Sequence, residues 1–191
     1  MNNQTLLNQL VTSVQQYEGR IIQQPSLLQA GVLVAITDEI DPHLILTRRA
    51  DHLNTHSGEV AFAGGKRDDT DPDIIFTALR EAHEEINLAS CDVTVVGQLD
   101  QVISRFGYVV TPIVGVIPAD TQFTANLDEL DAVFKVPLRF FLETEPHDYF
   151  ERGSFSIPSF HYEGFRIWGL TSMMITEMVN NHLNADINIR F

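Results

Sequence analysis

The stretch DPDIIFTALREAHEEINL, residues 71–88, constrains this chain more than any other. Ile75, Leu79, Ala82 and Ile86 recur at spacings of four, three and four, so one stripe of a helix faces the core. Asp71 is placed to cap the helix, Pro72 suits the first helical position, and Asp73 favours the positive end of the dipole. Asn87 tolerates the left-handed conformation that ends a helix. Glu81, Glu84 and Glu85 crowd onto little more than one turn beside the apolar stripe. Like charges at these spacings repel by a few tenths of a kcal/mol (~0.2–0.5) per pair. Either water screens them or a cation sits between them. Taken alone, ExxEE reads as a solvated acidic face; three hard oxygen donors within mutual reach also suit Mg²⁺ or Mn²⁺.

The remaining chain supplies strands for this helix to cover. GVLVAIT (31–37) and HLILTRR (43–49) read as two strands joined by the DEIDP turn. SGEVAFAGG (57–65) is a short extended piece ending in paired glycines. DVTVVGQLDQV, YVVTPIVGVI and AVFKVPL continue the strands, the last leading into LRFFLE, and FSIPSFHYEGFRIWGL reads as a hairpin turning near Glu163–Gly164. Leu6, Leu7, Leu10, Val11 and Val14 keep helical spacing near the start, and LTSMMITEMVNNHL (170–183) reads as an amphipathic helix. Strands and helices without regular βαβ alternation imply an α/β or α+β fold with a mixed sheet.

With 191 residues the expectation is one domain over 1–191, a helical extension at 1–28 and a core from about 30 to 183. The formal charge of −14 argues against nucleic acid or an anionic membrane as partner and suits a protein that gathers divalent cations. One cysteine excludes an internal disulfide. The start shows no signal-peptide pattern, and no apolar run nears the ~20 residues that span a bilayer, so the cytoplasm is the expected compartment.

Set in context, residues 65–88 resemble the Nudix box, G-x5-E-x7-R-E-U-x-E-E-x-G-U with U a bulky aliphatic. Gly65 matches the glycine, Arg80–Glu81 the R-E pair, Glu84–Glu85 the E-E pair and Leu88 the final U. Asp71 stands for the first glutamate, one extra residue separates it from Arg80, Ala82 is small for its position, and Asn87 replaces glycine. Upstream, LTRRADHLNTHSGEVAFAGG (46–65) is similar to the extra motif of the coenzyme A pyrophosphatase branch. Leu46, Thr47, Arg49, Gly58, Phe62, Gly64 and Gly65 match, whereas Ala50, Asn54 and Ala63 replace a serine, an arginine and a proline.

The resemblance implies a Nudix-type α/β/α sandwich and Mg²⁺- or Mn²⁺-dependent hydrolysis of a pyrophosphate bond. The implied substrate is coenzyme A or an acyl-CoA, with ADP-ribose or another nucleoside diphosphate derivative as the alternative. A non-catalytic nucleotide-binding module is the rival from another class. Glu81, Glu85 and Glu84 are the expected metal ligands, with Glu81 and Glu84 also candidates for catalysis. A backbone carbonyl at the Gly64–Gly65 turn is a further candidate ligand. Arg80 is expected to pair with a carboxylate of its own helix and fix its rotamer.

For substrate phosphates the candidates are Arg49 and Lys66, with Gly64 and Gly65. Arg48 and Arg49 are adjacent on a strand and face opposite ways, so one of them reaches the ligand. Asp128 and Glu129 are read as a solvated loop rather than the general base, and His52 and His56 as polar loop residues. Trp168 and Phe165 are read as core, and Cys91 as an inert thiol. The expected partner is a small nucleotide substrate; a homodimer is the candidate assembly.

Overall fold

The computed structural model describes residues 5–53 and 57–190; Asn54 and His56, singled out above, lie outside the described residues. β1 (Leu28–Asp38) is the central strand. It runs parallel to β7 (Tyr108–Pro118) along its whole length, from the pair Leu28–Tyr108 to the pair Asp38–Pro118. Its other edge is shared. β4 (Ala63–Lys66) pairs with residues 30–33, and β2 (His43–Arg49) joins at Ile36–Leu44, both antiparallel. Beyond β2 lie β3 (Val60–Ala61) and β8 (Leu130–Pro137); beyond β7 lie β5 (Thr94–Gln98) and β6 (Val102–Ile103). The sheet is therefore mixed.

Both faces of β1 are covered, which explains its nearly continuous apolar run. Leu33 and Ala35 join Ile113 and Ile117 of β7 in one core, under α2 (Ile74–Ile86). Val34 and Ile36 join Val110 and Val114 in the other core, under α1 (Leu6–Gln15) and α4 (Gly169–Leu183). The layers are helix, sheet, helix. α3 (Phe140–Glu143) adds Phe141, fully buried against Phe160. A separate antiparallel sheet of β9 (Asp148–Arg152), β10 (Phe155–Tyr162) and β11 (Phe165–Ile167) packs beside α4. Glu163 and Gly164, both at positive φ, make the tight turn between β10 and β11.

Several sequence expectations shift. α2 begins at Ile74, capped by Asp73, whose side chain accepts from the Phe76 N–H at 2.8 Å. Asp71 and Pro72 precede the helix; Asp71 is drawn inward by a partner described below. The apolar stripe is also rotated. Ile75 is exposed, and the buried face runs through Ala78, Ala82, Glu85 and Ile86, with Ile74 packed beside it. The cause is close approach: a Cβ at Gly31 of β1 would stand 2.7 Å from the Ile74 carbonyl oxygen and 3.1 Å from the Ala78 nitrogen. Only small residues fit between helix and strand there. α4 is not amphipathic but buried nearly all round, including Thr171, Ser172, Thr176 and His182, because the two sheets and α1 enclose it. β9 was not anticipated from the sequence; its exposed Tyr149 and Phe150 give no clean alternation.

Candidate active site

The site forms where α2 crosses β4. Gly64 lies so close to β1 that a Cβ would stand 2.4 Å from the Gly31 carbonyl oxygen and 2.5 Å from Val32 Cα. At Gly65 a Cβ would meet the carboxylate of Glu81 at 2.5 Å. The paired glycines thus let the helix lay its glutamates against the bare backbone of β4. The Gly64 N–H donates to Glu85 Oε2 at 3.1 Å.

Two groups of charges result. In the first, Arg80 holds Asp71 through a two-pronged contact: Nε to Oδ1 at 3.1 Å and NH2 to Oδ2 at 3.1 Å. Asp71 is buried, also accepting from the Thr77 hydroxyl and the Asp68 N–H. The Arg80 hydrogen bonds, outweighing the desolvation that opposes them, hold its carboxyl down at about 2. Arg80 is held protonated even more firmly than usual, chiefly by Asp71. Its NH1 reaches Glu84 at 3.0 Å and Glu81 at 2.9 Å, and its NH2 donates to the Lys66 carbonyl at 3.2 Å.

In the second group no cation holds Glu85 as Arg80 holds Asp71. Glu85 is 4% exposed, and burial pushes its carboxyl up to about 8; the Gly64 N–H lowers it, while Glu81 and Glu129 raise it further. The guanidinium of Arg49 stands 4.0 Å away, beyond hydrogen-bond reach. Burial also raises the Glu81 carboxyl, against the pull of Arg80. Among the described residues, no three carboxylate, histidine or cysteine side chains form a ready ligand shell, because Glu84 is turned out to Arg80 and half exposed. Glu81 and Glu85 do meet at the Gly64–Gly65 corner. Their hard oxygens fit a divalent cation, Arg80 offsets only part of their charge, and Glu84 is able to join by leaving Arg80.

The corner opens onto a cavity of about 1290 Å³. Gly64, Gly65, Arg49 and Lys66 line it, and so does Trp168, which is half-buried rather than core. The Arg49 Nε is buried and has no hydrogen-bond partner among the described residues. Arg48, its neighbour, faces away and pairs with Asp51 and Asp131, each at 2.6 Å. Arg67 bonds Gln29 and the carbonyls of Asp71 and Pro72, bracing the loop before α2. His52 lies on a loop, its Nε2 3.2 Å from the Asp128 carbonyl oxygen. Phe165 stacks on Phe134 at 4.0 Å, and Cys91 is exposed beside Asp92.

Glu129, read from the sequence as part of a solvated loop, is placed otherwise. It is half-buried, and its charge acts on both Glu81 and Glu85. The Asn126–Glu129 loop is tied to the helix end by the Asn126 N–H donating to the Glu85 carbonyl at 2.8 Å. No sequence spacing signals this, since forty-odd residues and three strands intervene.

The NUDIX domain family matches residues 27–147. The chain belongs to the Nudix family. A protein described as the uncharacterized Nudix hydrolase NudL of Escherichia coli O7:K1 is 44% identical over 154 residues, covering 78% of this chain and 80% of that protein. The same values hold for NudL of Escherichia fergusonii. Among solved structures, a MutT/nudix family protein from Enterococcus faecalis superposes with a TM-score of 0.53 at 15% identity, covering 95% of this chain and 71% of that one. A Nudix hydrolase from Alicyclobacillus acidocaldarius gives 0.51 at 20% identity, with 62% and 82% covered. These two share the Nudix fold, a mixed sheet flanked by helices. The Nudix box thus spans β4, the loop after it and α2. No helix among the described residues is long and apolar enough to cross a membrane.

Proposed function

We propose that this Nudix protein hydrolyses the pyrophosphate bond of coenzyme A or an acyl-CoA, giving phosphopantetheine and adenosine 3′,5′-bisphosphate. The observation that carries the hydrolytic reading is the buried Glu85 beside Glu81, held at the Gly64–Gly65 corner of a large cavity, with a guanidinium on Glu81 but none within hydrogen-bond reach of Glu85. Glu81, Glu85 and, on reorienting, Glu84 hold Mg²⁺ or Mn²⁺. When bound, such a cation neutralises pyrophosphate charge and lowers the pKa of water. Arg49, with its unpartnered Nε, receives a phosphate oxygen of the scissile link. Lys66, exposed at the cavity rim, screens the same charge. Arg80 holds Glu81 and Glu84 in place through its own anchor on Asp71. Glu129, or one of the helix glutamates, takes the proton from the attacking water.

Support for coenzyme A comes from the 46–65 motif and from the cavity wall. Beyond the charged corner the lining is largely apolar, with Val32, Val110, Ile157, Phe155 and Met173, which suits a long neutral arm better than a second polyphosphate. The test is product release from coenzyme A, acyl-CoA and ADP-ribose with Mg²⁺ or Mn²⁺. Glu81→Gln is expected to lose about a thousandfold in rate or more while keeping its Tm. Undiminished cleavage in excess chelator, or with Glu81→Gln, overturns the hydrolytic reading. A clear kcat/KM preference for ADP-ribose overturns the coenzyme A assignment.

A further inference from the structure

The chain carries only twelve Lys and Arg against twenty-six acidic residues, yet four of the twelve line this cavity: Arg20, Arg49, Lys66 and Arg105. Two acidic residues, Glu59 and Glu177, line it with them. A locally basic wall in so acidic a protein points to an anionic ligand. The scissile pyrophosphate accounts for Arg49 and Lys66. Arg20 is held between Asp100 and Glu177, each at 3.7 Å, and its own N–H donates to Asp100 at 2.7 Å.

Arg105 is differently placed. It sits in the turn between β6 and β7. The registers Lys66–Ala30, Ala30–Val110 and Val110–Val102 put three strand spacings, roughly 14 Å, between Lys66 and the strand leading to that turn. Its guanidinium lies 4.7 Å from the centre of the Phe106 ring, which restricts its conformations. Its NH2 donates at 3.1 Å to Glu59, which also lines the cavity. Glu59 in turn accepts the Arg49 N–H on its backbone oxygen at 3.0 Å. Arg105 is therefore tied to the residue that pairs with the Arg49 backbone on the same cavity wall. Its side chain is 63% exposed, so the pair with Glu59 is weak, and an arginine has donors to spare beyond the one used.

We propose that Arg105 is a specificity-determining residue that reads a second anionic group of the substrate, remote from the scissile pyrophosphate, by giving up Glu59 for it. The inference rests on the pyrophosphatase reading above. It also bears on the Asn54 departure: where the resembling motif has arginine the chain has a neutral residue, and a cation from another loop serves the cavity. In a coenzyme A substrate the second anion has two sources. One is the 3′-phosphate. The other is a carboxylate at the far end of an acyl group, beyond an arm of about twelve bonds that extends ~14 Å.

The experiment measures kcat/KM for coenzyme A against dephospho-coenzyme A, and for succinyl-CoA against butyryl-CoA, in the unmodified protein, Arg105→Gln and Arg105→Lys. The expected result is a preference of about tenfold or more for the more anionic member of one pair. Arg105→Gln should reduce it to about threefold or less, and Arg105→Lys should fall between. A preference within the first pair identifies the 3′-phosphate, and one within the second identifies the end of the arm. Ratios near unity in the unmodified protein, or a preference that Arg105→Gln leaves intact, overturn the inference while the pyrophosphatase reading stands. Failure of the unmodified protein to cleave any of the four with Mg²⁺ or Mn²⁺ removes the pyrophosphatase reading, and this inference with it.

Discussion

The two ends of one charged stretch, Asp71–Arg80 and Glu81–Glu85, contain two buried carboxylates with opposite fates. Asp71 is matched by a guanidinium in hydrogen-bond contact and held down at about 2; Glu85 has only the Arg49 guanidinium at 4.0 Å, and burial pushes it up to about 8. The first arrangement is complete in itself. It ties the loop before α2 to the middle of the helix and fixes the cation that orients Glu81 and Glu84. The second is incomplete, and burying an unmatched charge is costly. The difference marks which carboxylate serves the fold and which awaits a ligand.

The largest effect should come from breaking the complete end. Arg80→Gln leaves Asp71 buried without a matching charge, with only neutral donors such as the Thr77 hydroxyl and the Asp68 N–H, and the melting temperature is expected to fall by about 10 °C. Activity should fall with it, since Glu81 and Glu84 lose their brace. An unchanged Tm by calorimetry would show that Asp71 has found other partners.

The incomplete end should respond in the opposite sense. A carboxyl raised from about 4.5 to about 8 on folding binds more protons in the native state. Stability from this group is therefore greatest at low pH, declines as pH rises from ~4.5, and the decline levels off above ~8. In chelator, Glu85→Gln is expected to raise Tm at pH 8 by several degrees and to flatten this slope, while abolishing activity. Mg²⁺ should raise the Tm of the unmodified protein by more than that of Glu85→Gln. If chelator and Mg²⁺ give the same Tm in both proteins, Glu85 is not a site for the cation.

The smallest test lies at the helix end that follows. Asn87 occupies the left-handed C-cap at φ 56°, ψ 34°, where glycine carries no steric penalty. Asn87→Gly is expected to change Tm by no more than a degree or two and to leave kcat/KM within about twofold. A large loss would mean that the Asn87 side chain has a role that its backbone does not reveal.

How much was legible differs between elements. β1 and β7 were readable as strands, and α2 as a helix, because burial on both faces or along one stripe writes a period into the residues. The Asp73 cap was missed for Asp71, since both are good caps in sequence. Only the position of Arg80 in space, holding Asp71 inward, separates them. The rotation of α2 that exposes Ile75 and buries Glu85 was equally hidden. It depends on Gly31 admitting the helix backbone at Ile74 and Ala78, a contact between segments far apart in the chain. α4 looked amphipathic because its threonines and asparagines count as polar, whereas the fold surrounds it and satisfies Thr171 and Ser172 with the carbonyls of Val60 and Pro158.

The sequence by itself determined the helix with its three glutamates, the paired glycines before it and the acidic balance that calls for a cation. These depend on spacing within a few turns, which the chain fixes locally. Tertiary structure alone decided which carboxylate is closely matched and which is not, that the Glu129 charge acts on Glu81 and Glu85, and that Arg105 pairs with Glu59 on the cavity wall. Each depends on the dielectric and distance between side chains brought together by strand pairing, and charges separated along the chain acquire their energies only when packing sets those two quantities.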